Sequence, residues 1–248
     1  MVVELKSNIM RGGGKTIITI IPTAAALVTF SIAHAFNAYG GFKFRKTKEK
    51  VYSMAVPTIN KDEINLVIEE LTKNGTIVDG GFNNHSSKGL KLNYKKLPGF
   101  LITKFMTTAL LENAGNVIGS ELSFAPETEQ YRIFARLYQD ENDCLDFHYD
   151  NNLTNGKRYT VVIPLYYSSK NTSEFVIKDC DYEDQVIDIS IGKSVIYNGS
   201  EIYHKISKQT RSEKRLVLII PLFTNYTQTV WHKIRQKSRD MIYKVFKL

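Results

Sequence analysis

From about residue 121 onward the chain reads as strand after strand, and this limits its fold more than any other feature. Tyr131-Arg-Ile-Phe-Ala-Arg-Leu-Tyr138 alternates, and Tyr159-Thr-Val-Val-Ile-Pro-Leu-Tyr-Tyr167 is continuously apolar and aromatic. Glu174-Phe-Val-Ile, Val186-Ile-Asp-Ile-Ser-Ile191, Ser194-Val-Ile-Tyr197, 202–206 and Arg215-Leu-Val-Leu-Ile-Ile220 follow. Between them lie Ser-Ser-Lys-Asn, Gly192-Lys193 and Asn198-Gly199, residues that suit tight turns. Short strands punctuated this way indicate a β-sandwich or barrel.

Helices precede the strands. Asn60 is placed to cap a helix over 61–74, with Asp62 and Glu63 in its first turn and Ile64, Val67, Ile68 and Leu71 at helical spacing. Gly75 stands just past its end. Residues 76–97 read as irregular and polar, and the apolar stripe of Phe100, Phe105, Ala109 and Leu110 predicts a second helix over 99–113. His85 reads as a solvated loop residue. With 248 residues and 43% hydrophobic content, the chain is long enough for one sizeable core. The expected organisation is an N-terminal segment over 1–50, a main domain over 51–227 and a basic C-terminal helix over 228–248.

Charge is sorted towards the ends. Residues 1–50 hold eight Lys or Arg against two Glu, and 228–248 hold six against one Asp. The middle is left with 19 basic and 22 acidic residues, which disfavours a nucleic-acid partner for the main domain. Residues 16–36 contain no Lys, Arg, Asp or Glu, and 21 residues just span a hydrocarbon core as a helix. Five Lys or Arg follow that stretch within fifteen residues, so as an anchor it would keep the main domain cytoplasmic. The alternative is a mobile or domain-packed segment. The tail, with Val230, Ile234, Met241, Ile242 and Val245, suits a helix lying either on the barrel or on a membrane surface. Gly12-Gly13-Gly14-Lys15-Thr16 is not a phosphate loop, since Ile9 stands where that motif requires glycine. Cys144 and Cys180 make no disulfide framework and suit a reducing compartment.

Chemistry concentrates between 138 and 215. His148 and Asp150, two apart in an extended stretch, point to one face. His204, from a distant strand, can complete a set of two imidazoles and one carboxylate. Such a set on one face of an iron leaves positions open for a chelating cosubstrate and for oxygen. Arg215 enters the apolar run Leu-Val-Leu-Ile-Ile, where burial is costly unless an anion meets it. A guanidinium pairs bidentately with a carboxylate, which suits the far end of a dicarboxylic cosubstrate. Arg211, in a polar loop, competes for that role.

In this order, Tyr138, His148-Tyr149-Asp150, Arg158-Tyr159-Thr160-Val161-Val162, Asn198-Gly199, His204 and Arg215 resemble the iron(II)- and 2-oxoglutarate-dependent dioxygenases, and within them the prolyl-4-hydroxylase-like branch. The motif-bearing match covers about 130–222. The resemblance implies a mainly β fold with flanking helices, a double-stranded β-helix (the jelly roll, or cupin-like barrel). It implies Fe(II) held by His148, Asp150 and His204, and 2-oxoglutarate held by Arg215 with Tyr138 lining the same pocket. It also implies O2 as oxidant, ascorbate as an auxiliary reductant, and hydroxylation of a C–H bond with release of succinate and carbon dioxide. The acceptor it favours is a prolyl or other side chain of a protein or peptide. Val217 departs from the pattern, since many relatives carry a small hydroxyl residue two past the basic one. The tail also lacks the arginine pair of the nucleic-acid demethylating branch. Two rival readings are a non-catalytic cupin-type binding module, which an outward-facing Arg215 would favour, and a membrane-tethered interaction protein with a degenerate barrel.

Overall fold

The computed structural model describes residues 47–80, 87–150, 152, 154–168, 173–210, 213–228 and 230. The expected anchor at 16–36, the tail beyond 230, His85 and Arg211 lie outside these residues. Among the described residues no helix is long and apolar enough to cross a membrane.

Three helices precede most of the strands. In α1 (Lys61–Asn74), the Asn60 side chain accepts the Glu63 N–H at 2.9 Å, while the Glu63 carboxylate accepts the Asn60 N–H at 2.8 Å. This reciprocal pair satisfies two N–H groups that a helix start leaves open. The helix expected over 99–113 is two helices, α2 (Gly99–Phe105) and α3 (Thr108–Ile118). Thr107 makes the break: its hydroxyl accepts the Leu110 N–H at 3.2 Å and so caps a new helix. Gly119, at φ 74°, ends α3 in the left-handed conformation that glycine adopts without strain.

Twelve strands form one curled antiparallel sheet. They are β1 (Tyr52–Ala55), β2 (Thr76–Gly80), β3 (Ser87–Asn93), β4 (Ser123–Phe124), β5 (Phe134–Tyr138), β6 (Leu145–His148), β7 (Arg158–Tyr167), β8 (Phe175–Lys178), β9 (Asp184–Ile187), β10 (Lys193–Asn198), β11 (His204–Ile206) and β12 (Arg215–Phe223). Their order is β1-β10-β7-β12-β5-β3-β6-β11-β8-β9, with β2 paired to β3 and β4 to β12. Strand β3 joins the two halves, pairing with β5 through Leu90–Asn93 and with β6 at Ser87. This corrects the expectation of an irregular 76–97. Leu92 is buried as a strand residue should be and Leu90-Lys91-Leu92 alternates, but the flanking Ser87, Lys88, Gly89 and Asn93 leave that alternation only three residues long. Ahead of α1, where the sequence shows no strand pattern, β1 pairs with β10.

Two cores use opposite faces of the same strands. Leu216, Leu218, Ile220 and Leu222 of β12 meet Val161, Ile163 and Leu165 of β7, with Val67, Leu71, Leu101, Phe105 and Ala114 of the helices in the same cluster. The alternate positions, Val217 and Ile219 with Val162, Val195 and Tyr197, turn inward and meet Phe175, Ile177 and Ile206 from the other half. Burial on both faces explains why β7 and β12 read as unbroken apolar runs. The fold is therefore mainly β with flanking helices, the curled sheet that the sequence predicts. Leu218→Ala removes a fully buried side chain from the helix-facing core. It is expected to cost about 2–5 kcal/mol, read as a lowered denaturation midpoint at unchanged m-value.

Candidate active site

His148 is the last residue of β6 and His204 the first of β11, and the two are register partners. Facing each other across this pair, their rings stand 4.2 Å apart between centroids. Asp150 follows His148 just beyond the strand, its backbone N–H held by the Gly199 carbonyl at 2.7 Å. One ligand atom from each of His148, Asp150 and His204 lies within 4.8 Å of the others, so three residues spread over 57 positions of sequence converge as expected.

Hydrogen bonding prepares this set for a metal. The Nδ1 of His148 faces the Asp146 carbonyl at 2.8 Å, and that of His204 faces the Ile202 carbonyl at 2.9 Å. A carbonyl only accepts, so each Nδ1 carries the proton and each Nε2 keeps its lone pair for a metal. Burial, and then the neighbouring His204, push the His148 pKa down to about 3, while Asp150 and the Asp146 carbonyl oppose the shift. Burial also lowers His204, again against Asp150. Burial would raise the pKa of Asp150, but Arg158, His204, His148 and the Thr160 hydroxyl together reverse this and hold its carboxyl well below the usual range. The result is two neutral imidazoles and one carboxylate, a donor set that fits a divalent transition metal.

The two carboxylate oxygens of Asp150 differ. Oδ2 accepts a short hydrogen bond from the Thr160 hydroxyl and lies 3.7 Å from Arg158. Oδ1 is turned to His148 Nε2 at 3.8 Å and is the oxygen left for a metal. Gly199 makes room for this arrangement, since a Cβ there would collide with the Asp150 carboxylate. Tyr197 stands edge-on to His204 with centroids 4.8 Å apart, walling the imidazole from behind.

Arg215 starts β12 and faces inward, 1% exposed. Its Nη1 donates to the carbonyl and hydroxyl oxygens of Ser173, both at 3.1 Å, and its Nε has no hydrogen-bond partner. Tyr138 on β5 and Tyr167 on β7 are its register partners, and their rings lie 5.9 and 5.8 Å from the guanidinium carbon. A buried guanidinium with an unused donor between two tyrosines fits the carboxylate of a small diacid.

Sequence reasoning named Arg158, Thr160, Tyr197 and Gly199 within motifs without giving them work. It missed Lys91 and Arg136 as residues of this interior. Arg136 was within reach of the alternation rule, because it stands two residues before Tyr138 on the same face of β5.

No protein-family model matches the chain, and no curated protein sequence matches it. Solved structures do. A 2OG-Fe(II) oxygenase family oxidoreductase from Burkholderia pseudomallei superposes with a TM-score of 0.55 at 13% identity, covering 92% of this chain and 99% of that one. The non-heme alpha ketoglutarate dependent epimerase SnoN from nogalamycin biosynthesis gives 0.52 at 12% identity, covering 81% of each chain.

Gly199→Ala is expected to weaken Mn(II) binding about 10- to 100-fold by displacing Asp150, measured by calorimetry with the circular dichroism spectrum unchanged. An imidazole held below its ordinary pKa of 6.5 is protonated first in the unfolded chain, so its contribution is present above that pH and lost as pH falls towards 3. Metal-free protein should therefore lose up to about 1.4 kcal/mol per pH unit for each such histidine below pH 6.5. Urea midpoints between pH 7.5 and 5 measure this, and His148→Phe should flatten the slope.

At these identities the likeness is one of fold, and the chain carries the jelly-roll fold of the 2-oxoglutarate- and iron(II)-dependent oxygenases, with His148, Asp150 and His204 gathered inside it.

Proposed function

We propose that this protein is an iron(II)- and 2-oxoglutarate-dependent oxygenase that hydroxylates a C–H bond of an acceptor and releases succinate and carbon dioxide. The observation that carries this reading is the pairing, within one barrel, of the His148, Asp150 and His204 cluster with the buried, incompletely bonded Arg215. A metal-binding module without catalysis has use for the first but not for the second. The inward position of Arg215 thus favours the oxygenase over a cupin-type binding protein.

When bound, ferrous iron couples oxidative decarboxylation of 2-oxoglutarate by O2 to oxidation of the acceptor. His148 and His204 would hold it through Nε2, because their Nδ1 protons are committed to backbone carbonyls. Asp150 would hold it through Oδ1, because Thr160 and Arg158 engage Oδ2. Arg215 would take the distal carboxylate of 2-oxoglutarate, and Ser173 fixes one edge of its guanidinium so that the Nε edge stays free for that bond. Tyr138, 2% exposed, walls the same pocket and keeps it dry, which strengthens the ion pair. Our reading of the acceptor is a protein or peptide side chain, a prolyl ring among them, in keeping with the sequence likeness to the prolyl-4-hydroxylase-like branch. Ascorbate would serve only to restore ferrous iron.

Full-length protein supplied with Fe(II), 2-oxoglutarate and O2 should release succinate, including a slow acceptor-independent background. His148→Ala and Asp150→Ala should each abolish it, and succinate release surviving either change excludes the assignment. Arg215→Met is expected to raise the KM for 2-oxoglutarate about 10- to 100-fold, the worth of one charged hydrogen-bonding pair, with Mn(II) affinity unchanged.

A further inference from the structure

The barrel interior beside His148, Asp150 and His204 is more basic than iron and 2-oxoglutarate require. Among the described residues Lys91, Arg136, Arg158 and Arg215 are placed on its strands, and Asp150 is the carboxylate that acts on Lys91 and Arg158. Arg158 lies against Asp150. Under the oxygenase reading, on which this inference rests, Arg215 is matched by one end of 2-oxoglutarate. Lys91 and Arg136 remain, adjacent register partners on β3 and β5.

Neither forms an ion pair among the described residues. Arg136 is 7% exposed; one Nη donates to the Ser87 hydroxyl at 2.8 Å, and its Nε has no partner. Its guanidinium carbon lies 5.0 Å from the Tyr138 ring. Lys91 is half-buried with its Nζ 4.0 Å from the Tyr131 ring centroid and 4.4 Å from that of Phe134. Ring faces attract a cation but do not neutralise it. A buried charge left without a counter-ion is costly, and two side by side are costlier. Nor do these groups duplicate Arg215. Arg136 stands opposite Val217, two residues along from the Tyr138–Arg215 pair, or about 7 Å at strand spacing.

We propose that the acceptor presents an oxyanion, a carboxylate or a phosphate, to Arg136 and Lys91 on the β3–β5 wall of the barrel, so that its reacting C–H bond is positioned by charge as well as by shape. The free Nε edge of Arg136 supplies a planar donor, and Lys91 supplies a mobile second charge. The state of Lys91 agrees with an empty counter-ion position: burial, then Arg136 and Arg158, pull its pKa down to about 7, with Asp150 opposing. An arriving oxyanion reverses that balance.

The test is calorimetric titration of the full-length protein, loaded with Mn(II) and saturated with 2-oxoglutarate, using inorganic phosphate and separately acetate. Saturable binding of at least one anion is expected, weakened tenfold or more by Arg136→Gln and by Lys91→Gln. Arg136→Lys should recover part of the loss, and 2-oxoglutarate affinity should stay within threefold of the parent in every variant. A purely structural role would lower the melting temperature without this selective loss. Anion binding that vanishes on saturation with 2-oxoglutarate, or that ignores both substitutions, overturns the proposal. If Mn(II) and 2-oxoglutarate themselves fail to bind, the oxygenase reading falls. The same anion titrations on metal-free protein then decide the β3–β5 site alone, by whether Arg136→Gln and Lys91→Gln abolish binding.

Discussion

All nine residues of β12 are buried, and this double-sided burial is the constraint on which the rest of the molecule depends. One set of alternate side chains is committed to the helices and the other to the barrel interior. A slip of one residue would exchange the sets, placing Arg215 among the leucines and isoleucines that meet the helices. The hydrophobic pattern that fixes the register of β12 thus also aims Arg215 inward. Its antiparallel partners β5 and β7 then set Tyr138 and Tyr167 on either side of it. Stability and the candidate cosubstrate pocket share one cause.

The smaller half of the sheet works by a different economy. Strands β6 and β11 are four and three residues long, too short to be held by many ladder bonds. What fixes His148 against His204 is their direct register, the carbonyl bonds at each Nδ1, and the Gly199 carbonyl that receives the Asp150 N–H. These bonds use Nδ1 and backbone atoms, not the atoms left for a metal, so each ligand is oriented by the protein itself. Preorganisation of this kind lowers the entropic cost of binding and rules out the wrong imidazole tautomer.

The legible parts of this chain are those where the local signals agree. The α1 helix was readable because capping, first-turn charge and apolar spacing agree over 61–74. The long strands were readable because no other element of that length stays apolar throughout. His148, Asp150, His204 and Arg215 were readable as a set because metal donors two apart and a charge entering an apolar run both need explaining. The illegible parts are those where two signals conflict. In β3 the alternation Leu90-Lys91-Leu92 is flanked by Ser87, Lys88, Gly89 and Asn93, so the strand read as loop. Thr107 carries a cap inside an apolar stripe, so two helices read as one. β9 is Asp184–Ile187, largely exposed, beginning two residues before the apolar stretch 186–191 that announced it and ending four residues before that stretch does.

Charge shows the same conflict at the scale of the whole domain. Counted along the sequence, the segment between the basic ends is slightly acidic, and such a count argues against an anionic partner. The count is correct, but it averages over surface and interior. Exposed acidic groups such as Asp184 pair with lysines in water, where they contribute little to what a buried ligand feels. The groups near the metal donors act through a drier medium, where interactions are several times stronger at equal distance. There, among the described residues, Lys91, Arg136, Arg158 and Arg215 share the interior with Asp150. What an enclosed site attracts is decided by which face of a strand each charge occupies, and alternation along β5, from Phe134 through Arg136 to Tyr138, carries that information where net charge does not.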